Sequence, residues 1–231
     1  MRKSREFMIL AGLWCGPTKP SMNFFLDPLC KAFDELEKGV PLFPEENEDE
    51  QIQAFLLGVS CDTPARSAVL NMNQHNGECC CSKCVQSGKN RRTATGGNVR
   101  IFPYDERNPT GPKRSHEMML RNAREALDSK STHVNGIKGP SVIMFCPRVD
   151  CVKSVCIDYM HLVCLGVVRL FLKLCFDVTH SLNDFSLYRY VDIVDQRLES
   201  IKLPHFINRQ PRSISEHLKF WKAAELRSWL L

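Results

Sequence analysis

The order of apolar and polar positions predicts an alternation of strands and helices in the first third of the chain. Residues 7–14 form a short continuous apolar run closed by a Gly-Pro pair, which is typical of a buried strand. Apolar residues then recur at helical spacing over residues 22–39, where Gly39 ends the helix. A second buried strand is predicted at residues 52–59, with Asp62 just beyond its tip. This order indicates a parallel α/β unit, whose chemistry lies at the carboxyl ends of the strands.

The middle of the chain is polar and predicts loops. The acidic residues 45–50 are expected to form a solvated loop. Residues 71–150 are rich in Asn, Gly, Arg, Lys and Pro, which favours an insertion with little core of its own, apart from one helix at 115–127. The basic residues within 89–100 indicate either a solvated loop or a loop that contacts phosphate groups.

The last third of the chain is predicted to be helical. Asp158 opens a long apolar helix that runs to about residue 176, and residues 188–198 form another helix. Ser213 and Glu216 have the spacing of a capping box, which begins the last helix. No membrane span is expected, because charged residues interrupt the apolar stretch at 157–176.

Composition narrows the class of protein. At 231 residues, with 43% hydrophobic and 25% charged residues, the chain can fold around one sizeable core. Its net charge of +5 fits a nucleic-acid partner but does not require one. Twelve cysteines indicate either an oxidised secreted protein or reduced thiols that bind metal. The secreted alternative needs a signal peptide at the amino terminus, and the short apolar run there favours an intracellular protein instead.

Two cysteines have the spacing of a metal-binding pair. Cys81 and Cys84 can share one metal ion, and a closed zinc site needs four ligands. No second Cys-x-x-Cys follows, so the other ligands must come from elsewhere, with His116, His161 and the two preceding cysteines as candidates. The alternative is a pair of unliganded thiols in a loop.

Three acidic positions are candidates for further chemistry. Asp158 and His161 lie on one helical turn. They are either two metal ligands, or Asp158 is the N-cap of the helix and His161 lies on its exposed face. Glu225 shares a helical stripe with two tryptophans, so it should be buried and either pair with a cation such as Lys222 or face a metal. Asp62 and Glu225 together are what a divalent-metal site for phosphoryl transfer would use.

Five ordered blocks of residues carry a resemblance to a known family, and they cover nearly the whole chain. They are Asp62-Thr-Pro-Ala-Arg66 followed by Asn76-Gly77, Cys81-x-x-Cys84, Gly136-Ile-Lys-Gly-Pro-Ser141, Asp158-Tyr-Met-His161-x-x-x-Leu165-Gly-Val-Val-Arg169, and Trp221-Lys-Ala-Ala-Glu225. In this order they resemble the motifs of CACTA (En/Spm)-type DNA transposases in their animal form.

The resemblance implies a ribonuclease-H-like domain in which three acids hold two Mg²⁺ or Mn²⁺ ions that cut and rejoin DNA. Asp62 matches the second acid and Glu225 the third. Cys81 and Cys84, with Asp158 and His161 further on, resemble a metal-binding insertion. With His116 as the fourth ligand, this set is expected to hold one structural Zn²⁺.

The resemblance also implies an incomplete α/β domain. Residues 7–14 match the third strand, so the first two strands and the first acid would lie upstream, and the chain by itself is expected to be an inactive fragment or a decayed or domesticated copy. The implied domains are residues 1–70 (third to fourth strand of the core), 71–150 (the insertion) and 151–231 (the helical part of the core with the third acid).

Partners and geometry follow as expectations. The complete protein is expected to be nuclear or otherwise intracellular and to bind DNA at transposon ends, without a membrane; homo-oligomerisation is left open.

The strand at 7–14 should pair in parallel with the strand before Asp62 through a right-handed crossover. The carboxylates of Asp62 and Glu225 should converge to within roughly 4–8 Å if they share a two-metal site. The alternative function is a non-enzymatic, transposon-derived zinc-binding module that binds DNA or protein.

Overall fold

The computed structural model describes residues 8–43, 47–202, 204–205, 207 and 209–230. The chain divides into two compact units, Met1–Cys156 and Ile157–Leu231. Each unit has a hydrophobic core of its own.

Within the described residues, the first unit contains three α-helices and small pairs of strands. The helices are α1 (Met22–Lys38), α2 (Thr63–Val69) and α3 (His116–Asp128), and a 3₁₀ turn covers Val142–Phe145. The strands are β1 (Val40–Phe43), β2 (Asn47–Ile52), β3 (Val59–Cys61), β4 (Lys89–Arg92), β5 (Asn98–Ile101) and β6 (Val155–Ile157). They form three two-stranded sheets, β1 with β2, β3 with β6 and β4 with β5.

The helices predicted in this unit are confirmed, because their signals are local. α1 buries Cys30 and places Met22, Leu26 and Phe33 against the core, and it ends at Gly39, whose φ of 101° suits glycine. α3 begins where Ser115 Oγ accepts a hydrogen bond from the Met118 N–H at 3.1 Å.

The strand predictions for this unit are largely wrong. Residues 8–14, the described part of the run at 7–14, lie in no strand, and Ile9 is 93% exposed, so the predicted parallel pairing and crossover are absent from the described residues. A strand needs a partner that a local pattern does not specify. The strand expected at 52–59 is reduced to β3, and the acidic loop expected at 45–50 contains strand β2 from Asn47 onward; residues 45–46 lie outside the described residues.

The region expected to have little core of its own supplies much of the core of the first unit. Residues 71–150 contribute the buried core residues Met72, Met119, Ala123, Ile137, Ile143, Met144, Cys146 and Val149, which pack with Cys30 of α1 and with Val69 and Leu70 at the end of α2. Residues 71–150 therefore share one core with α1 and α2. The polar composition was misleading because the buried residues are spread singly between turns rather than set at a regular period.

The second unit is built around one long apolar helix, as predicted from Asp158 onward. Its elements are a π-helical segment (Tyr159–Val168) that continues as α4 (Arg169–Phe176), α5 (Val191–Ser200), α6 (Ile214–His217) and α7 (Ala223–Trp229). Cys164, Val168 and Leu172 bring one face of the long helix into a core that also holds Trp221 and Leu226.

The helix Tyr159–Phe176 has the length and composition to cross a membrane. Its 18 residues have a mean hydropathy of 1.7. Core helices of soluble proteins share these properties, and the same helix carries the buried residues of the second unit, so the observation is weak evidence for a span. The absence of a membrane partner stays a prediction.

The capping box predicted at Ser213 and Glu216 is wrong. Ser213 Oγ bonds to His217 Nδ1 at 2.9 Å, and the amino end of α6 is capped by Asp195 instead. The Asp195 carboxylate, which is 8% exposed, accepts the N–H groups of Ile214 at 2.6 Å and Ser215 at 3.1 Å. A carboxylate from α5 therefore replaces the local cap and ties α5 to α6.

The first residue of the Gly136–Ser141 block must be glycine for a steric reason. Its φ is 81°, and a Cβ atom added there would lie 2.3 Å from the carbonyl oxygen of Cys79. Only glycine allows this close approach, which places residue 136 against the cysteine-rich turn.

We expect Gly136→Ala to destabilise the first unit by about 3 kcal/mol or more, since a backbone atom must move. Gly96→Ala is the matched control, because Gly96 has a similar φ of 85° but no atom within 4 Å of the added Cβ. The control should cost only about 1 kcal/mol. Urea unfolding of the two variants measures the difference, and equal costs would contradict the close packing at Gly136.

Candidate functional site

Asp62 lies where a strand passes into a helix. It follows β3 directly and is the N-cap of α2, and its Oδ1 atom accepts the Ala65 N–H at 2.8 Å. Pro64 in the first turn of α2 suits a helix start. Within the described residues, Oδ2 of Asp62 has no hydrogen bond or ion pair. One carboxylate oxygen is thus held by the backbone and the other is free to bind a cation.

Glu225 has a different environment. Its side chain is 0% exposed, which confirms the expectation that it is buried. Arg212 donates from Nε to Oε1 at 2.6 Å and from Nη2 to Oε2 at 3.1 Å, and Arg209 Nε lies 3.4 Å from Oε2. The backbone N–H of Lys222 also donates to Oε2 at 2.9 Å. The cations that pair with Glu225 are therefore two arginines, and both carboxylate oxygens are occupied.

The hydrogen bonds and charges set the titration of this carboxyl group. Burial raises the pKa of Glu225, but the hydrogen bonds from Arg212 and Lys222, with the charges of Arg212 and Arg209, outweigh burial and leave the pKa below its usual value. The group is ionised at neutral pH as half of a buried ion pair.

The two acids belong to different units. Asp62 lies in the first unit and Glu225 in the second. Their convergence on a shared metal site stays a prediction.

The Cys81–Cys84 turn contains a backbone hydrogen bond to sulfur. Cys81 Sγ accepts the N–H of Lys83 at 3.3 Å. N–H groups directed at sulfur stabilise thiolates, which are the form that binds zinc.

The thiol of Cys84 is protonated at neutral pH. Burial, the charge of Cys81 and the hydrogen bond from it raise the pKa of Cys84 to about 11, while the N–H of Gly111 and the charge of Arg114 act in the opposite direction. A metal ion that binds Cys84 would displace the thiol proton. The affinity of the cysteine turn for metal should therefore rise with pH.

Arg114 holds the cysteine turn in place. It is 5% exposed and donates to the carbonyl oxygens of four residues. These bonds are from Nε to Cys81 at 2.8 Å and Cys84 at 3.2 Å, and from Nη2 to Cys79 at 2.7 Å and Asn135 at 2.6 Å.

The remaining predicted metal ligands are divided between the two units. Within the described part of the chain, no three His, Cys, Asp or Glu side chains form a group that could hold a metal ion. Nδ1 of His116 instead accepts the N–H of Cys151 at 3.3 Å. Asp158 and His161, in the second unit, contact each other through Oδ2 and Nδ1. Asp158 also caps the long helix through the N–H groups of Met160 and His161.

The residues fit zinc in part. Cys81 and Cys84 can supply two sulfur ligands, and among the described residues no third or fourth His, Cys, Asp or Glu side chain is grouped with them. The zinc site with Cys81, Cys84, His116, Asp158 and His161 stays a prediction.

Three arginines that organise these sites were missed from the sequence. Arg114, Arg209 and Arg212 act on residues between 13 and 35 positions away, with no periodic spacing. Arg209 and Arg212 lie close together just before α6, and this is the one feature of the sequence that could have suggested partners for Glu225.

Comparison of the chain with protein-family models, with curated proteins and with solved structures finds no match. The transposase resemblance therefore rests on the five sequence blocks alone.

We expect purified protein to contain zinc that depends on the cysteine turn. Cys81→Ser with Cys84→Ser should abolish zinc binding, because both sulfur ligands are lost. Cys15→Ser with Cys156→Ser is the matched control, since both of these thiols are free and exposed. Metal analysis by mass spectrometry measures the stoichiometry, and no zinc in the wild type, or equal zinc in both variants, would contradict the site.

We expect Glu225→Gln to destabilise the second unit by about 2 kcal/mol at pH 7, less than for a fully buried pair because Arg212 and Arg209 remain partly exposed. The pKa of Glu225 is lower in the folded protein than in the unfolded chain. The stabilisation is therefore fully present above the pKa of the unfolded state, and it is lost as pH falls through the pKa of the folded state. The difference in the free energy of unfolding between wild type and variant, measured by urea unfolding, should therefore decrease as the pH is lowered from 7 to 3. Glu216→Gln, at a side chain 75% exposed, should cost under about 0.5 kcal/mol; a pH-independent Glu225→Gln effect would count against the ion pair.

Proposed function

We propose that the chain is part of a CACTA-type DNA transposase and carries its second catalytic acid, Asp62, and a zinc-binding turn. The observation that carries the proposal is the position of Asp62 at the tip of β3, with Oδ1 fixed by Ala65 and Oδ2 free. A ribonuclease-H-like site requires a carboxylate at a strand end with an oxygen left for a divalent cation.

Divalent ions would supply the chemistry in the complete protein. Two Mg²⁺ or Mn²⁺ ions stabilise the attacking and leaving oxygens of a phosphodiester. The role of Asp62 is to present one oxygen in a fixed direction, and its hydrogen bond to the start of α2 removes the rotational freedom of the carboxylate at low cost.

A second function is favoured by the contacts of Glu225. Because Arg212, Arg209 and the N–H of Lys222 occupy both of its oxygens, Glu225 can bind a metal only if these contacts break. Breaking a buried ion pair is costly. This supports a non-enzymatic, transposon-derived module in which Glu225 has a structural role and the Cys81–Cys84 turn holds zinc.

Nicking of supercoiled DNA with Mn²⁺ separates the two functions. We expect the 231-residue chain alone to show no nicking, because the resemblance assigns only two of the three acids of a two-metal site to it. In the complete protein, Asp62→Asn should reduce nicking at least about 100-fold, since a metal ligand is worth several kcal/mol.

Asp177→Asn is the matched control, because Asp177 also begins a helical turn and its Oδ1 accepts the Thr179 N–H at 2.9 Å. The control should nick at the wild-type rate within about twofold. Nicking by the complete protein that survives Asp62→Asn would refute the catalytic assignment. Absence of nicking, together with intact zinc binding, would favour the non-enzymatic module.

A further inference from the structure

The net positive charge of the protein is concentrated in one segment. Residues 83–114, named here the basic arm, contain eight Lys and Arg against two Asp and Glu, a net charge of +6. The whole chain carries +5, from 31 basic and 26 acidic residues, so the remainder is at −1. No acidic residue occurs between Glu78 and Asp105.

The base of the basic arm is fixed to the cysteine turn. Cys84 pairs with Lys113 in a β-bridge, the Val85 N–H donates to Pro112 at 2.7 Å, and the Arg114 N–H donates to Lys83 at 2.9 Å. Arg114 then anchors this base through its four carbonyl acceptors. The arm therefore leaves and re-enters the unit at one rigid point.

Beyond the base, the arm forms a two-stranded antiparallel ribbon of β4 and β5. Its pairs are Lys89 with Ile101, Asn90 with Arg100, Arg91 with Val99, and Arg92 with Asn98. The connecting turn is closed by the Thr93 N–H donating to Gly97 at 2.8 Å, and Gly96 in it has a φ of 85°.

The ribbon buries almost nothing. Among the described elements, β4 and β5 pack extensively only against each other, and every residue of β4 is exposed. Isolated two-stranded ribbons are marginally stable in water, so a ribbon without an apolar face contributes little to the stability of the fold. Its exposed side chains are free to act on a partner.

Three cations on β4 have no partner of their own. Within the described residues, Lys89, Arg91 and Arg92 make no side-chain hydrogen bond or ion pair, whereas Arg100 donates to Ser87 at 2.6 Å. Paired residues of an antiparallel ribbon share a face, so Lys89 and Arg91 lie on one face and Arg92 on the other, with Asn90 and Asn98 beside it. Both faces thus present cations, and the face of Arg92 also presents the amide donors of Asn90 and Asn98.

We propose that this ribbon binds the phosphate backbone of duplex DNA. Unpaired Lys and Arg together with Asn and Thr are the side chains that contact phosphates, and a two-stranded ribbon fits the major groove, which is about 12 Å wide. A protein partner would require buried apolar anchors, and Val99, which is 45% exposed, is the one large apolar side chain among the exposed residues of the two strands. This inference goes beyond the proposed function, because it involves neither Asp62 nor Glu225 and holds for either candidate function.

The test is fluorescence anisotropy with a duplex of arbitrary sequence between 50 and 200 mM salt. The triple variant Lys89→Ala, Arg91→Ala, Arg92→Ala should bind at least about tenfold more weakly at 50 mM salt. The slope of log K against log salt should become shallower by up to about 2.7, since each phosphate contact contributes about 0.9. The double variant Arg91→Lys, Arg92→Lys keeps the charges and should retain the wild-type slope.

The matched control is Arg121→Ala, Arg124→Ala, Lys130→Ala, which removes three exposed cations elsewhere in the same unit. It should leave the slope within about 0.5 of the wild type. Equal losses in the two triple variants, or none in the ribbon variant, would overturn the proposal. Polyglutamate that competes as well as duplex DNA would overturn it in favour of an acidic protein partner, and single-stranded RNA that binds more tightly would also contradict it.

Unchanged thermal unfolding of the ribbon variant confirms that the fold is intact. Nicking is measured in parallel on the complete protein. If the ribbon does not bind DNA, the nicking test of Asp62 can still be read. If the protein does not nick DNA, binding of DNA by the ribbon can still be measured.

Discussion

The buried guanidinium of Arg114 is the interaction on which the first unit depends. Its partners are carbonyl oxygens rather than a carboxylate, from Cys79, Cys81, Cys84 and Asn135. Burial lowers the pKa of Arg114 and the nearby thiols act in the opposite direction, but an arginine keeps its charge throughout the physiological range. A buried charge without these acceptors would be costly, so the cysteine turn, the Gly136 region and the base of the basic arm are held in one arrangement.

The second unit is organised by buried carboxylates in an analogous way. Asp195 fixes the start of α6, and Glu225 joins the segment around Arg212 to the start of α7. Both use oxygens that accept backbone N–H groups at a helix start, where anions are favourable. Asp62 differs from both, because one of its oxygens is left without a partner within the described residues. Asp195 and Glu225 thus use both oxygens to hold the fold, whereas Asp62 uses one.

The sequence predicted the helices better than the strands for a physical reason. α1, α3, the long helix from Asp158 and α5 each have a local apolar period or a cap, and a helix forms its backbone hydrogen bonds within its own segment. The run at 7–14 is as apolar as a buried strand, but its described residues have no strand to pair with. Similarly, the stripe containing Glu225 predicted burial correctly but could not identify Arg209 and Arg212, which lie 16 and 13 residues earlier outside any periodic pattern. The cysteine spacing identified the pair, whereas the role of Arg114 depends on contacts across more than 20 residues.

The shared base of the basic arm has a consequence for thermodynamic coupling. The rungs formed by residues 83–85 and 112–114 include Cys84, one of the two cysteines of the turn. A ligand bound at the cysteine turn would order these rungs. Less conformational entropy would then be lost when a second ligand immobilises the ribbon. Linkage is reciprocal, so a ligand on the ribbon must strengthen binding at the cysteine turn by the same factor. Two sites separated by a short β-ladder would then cooperate without any change in the mean structure.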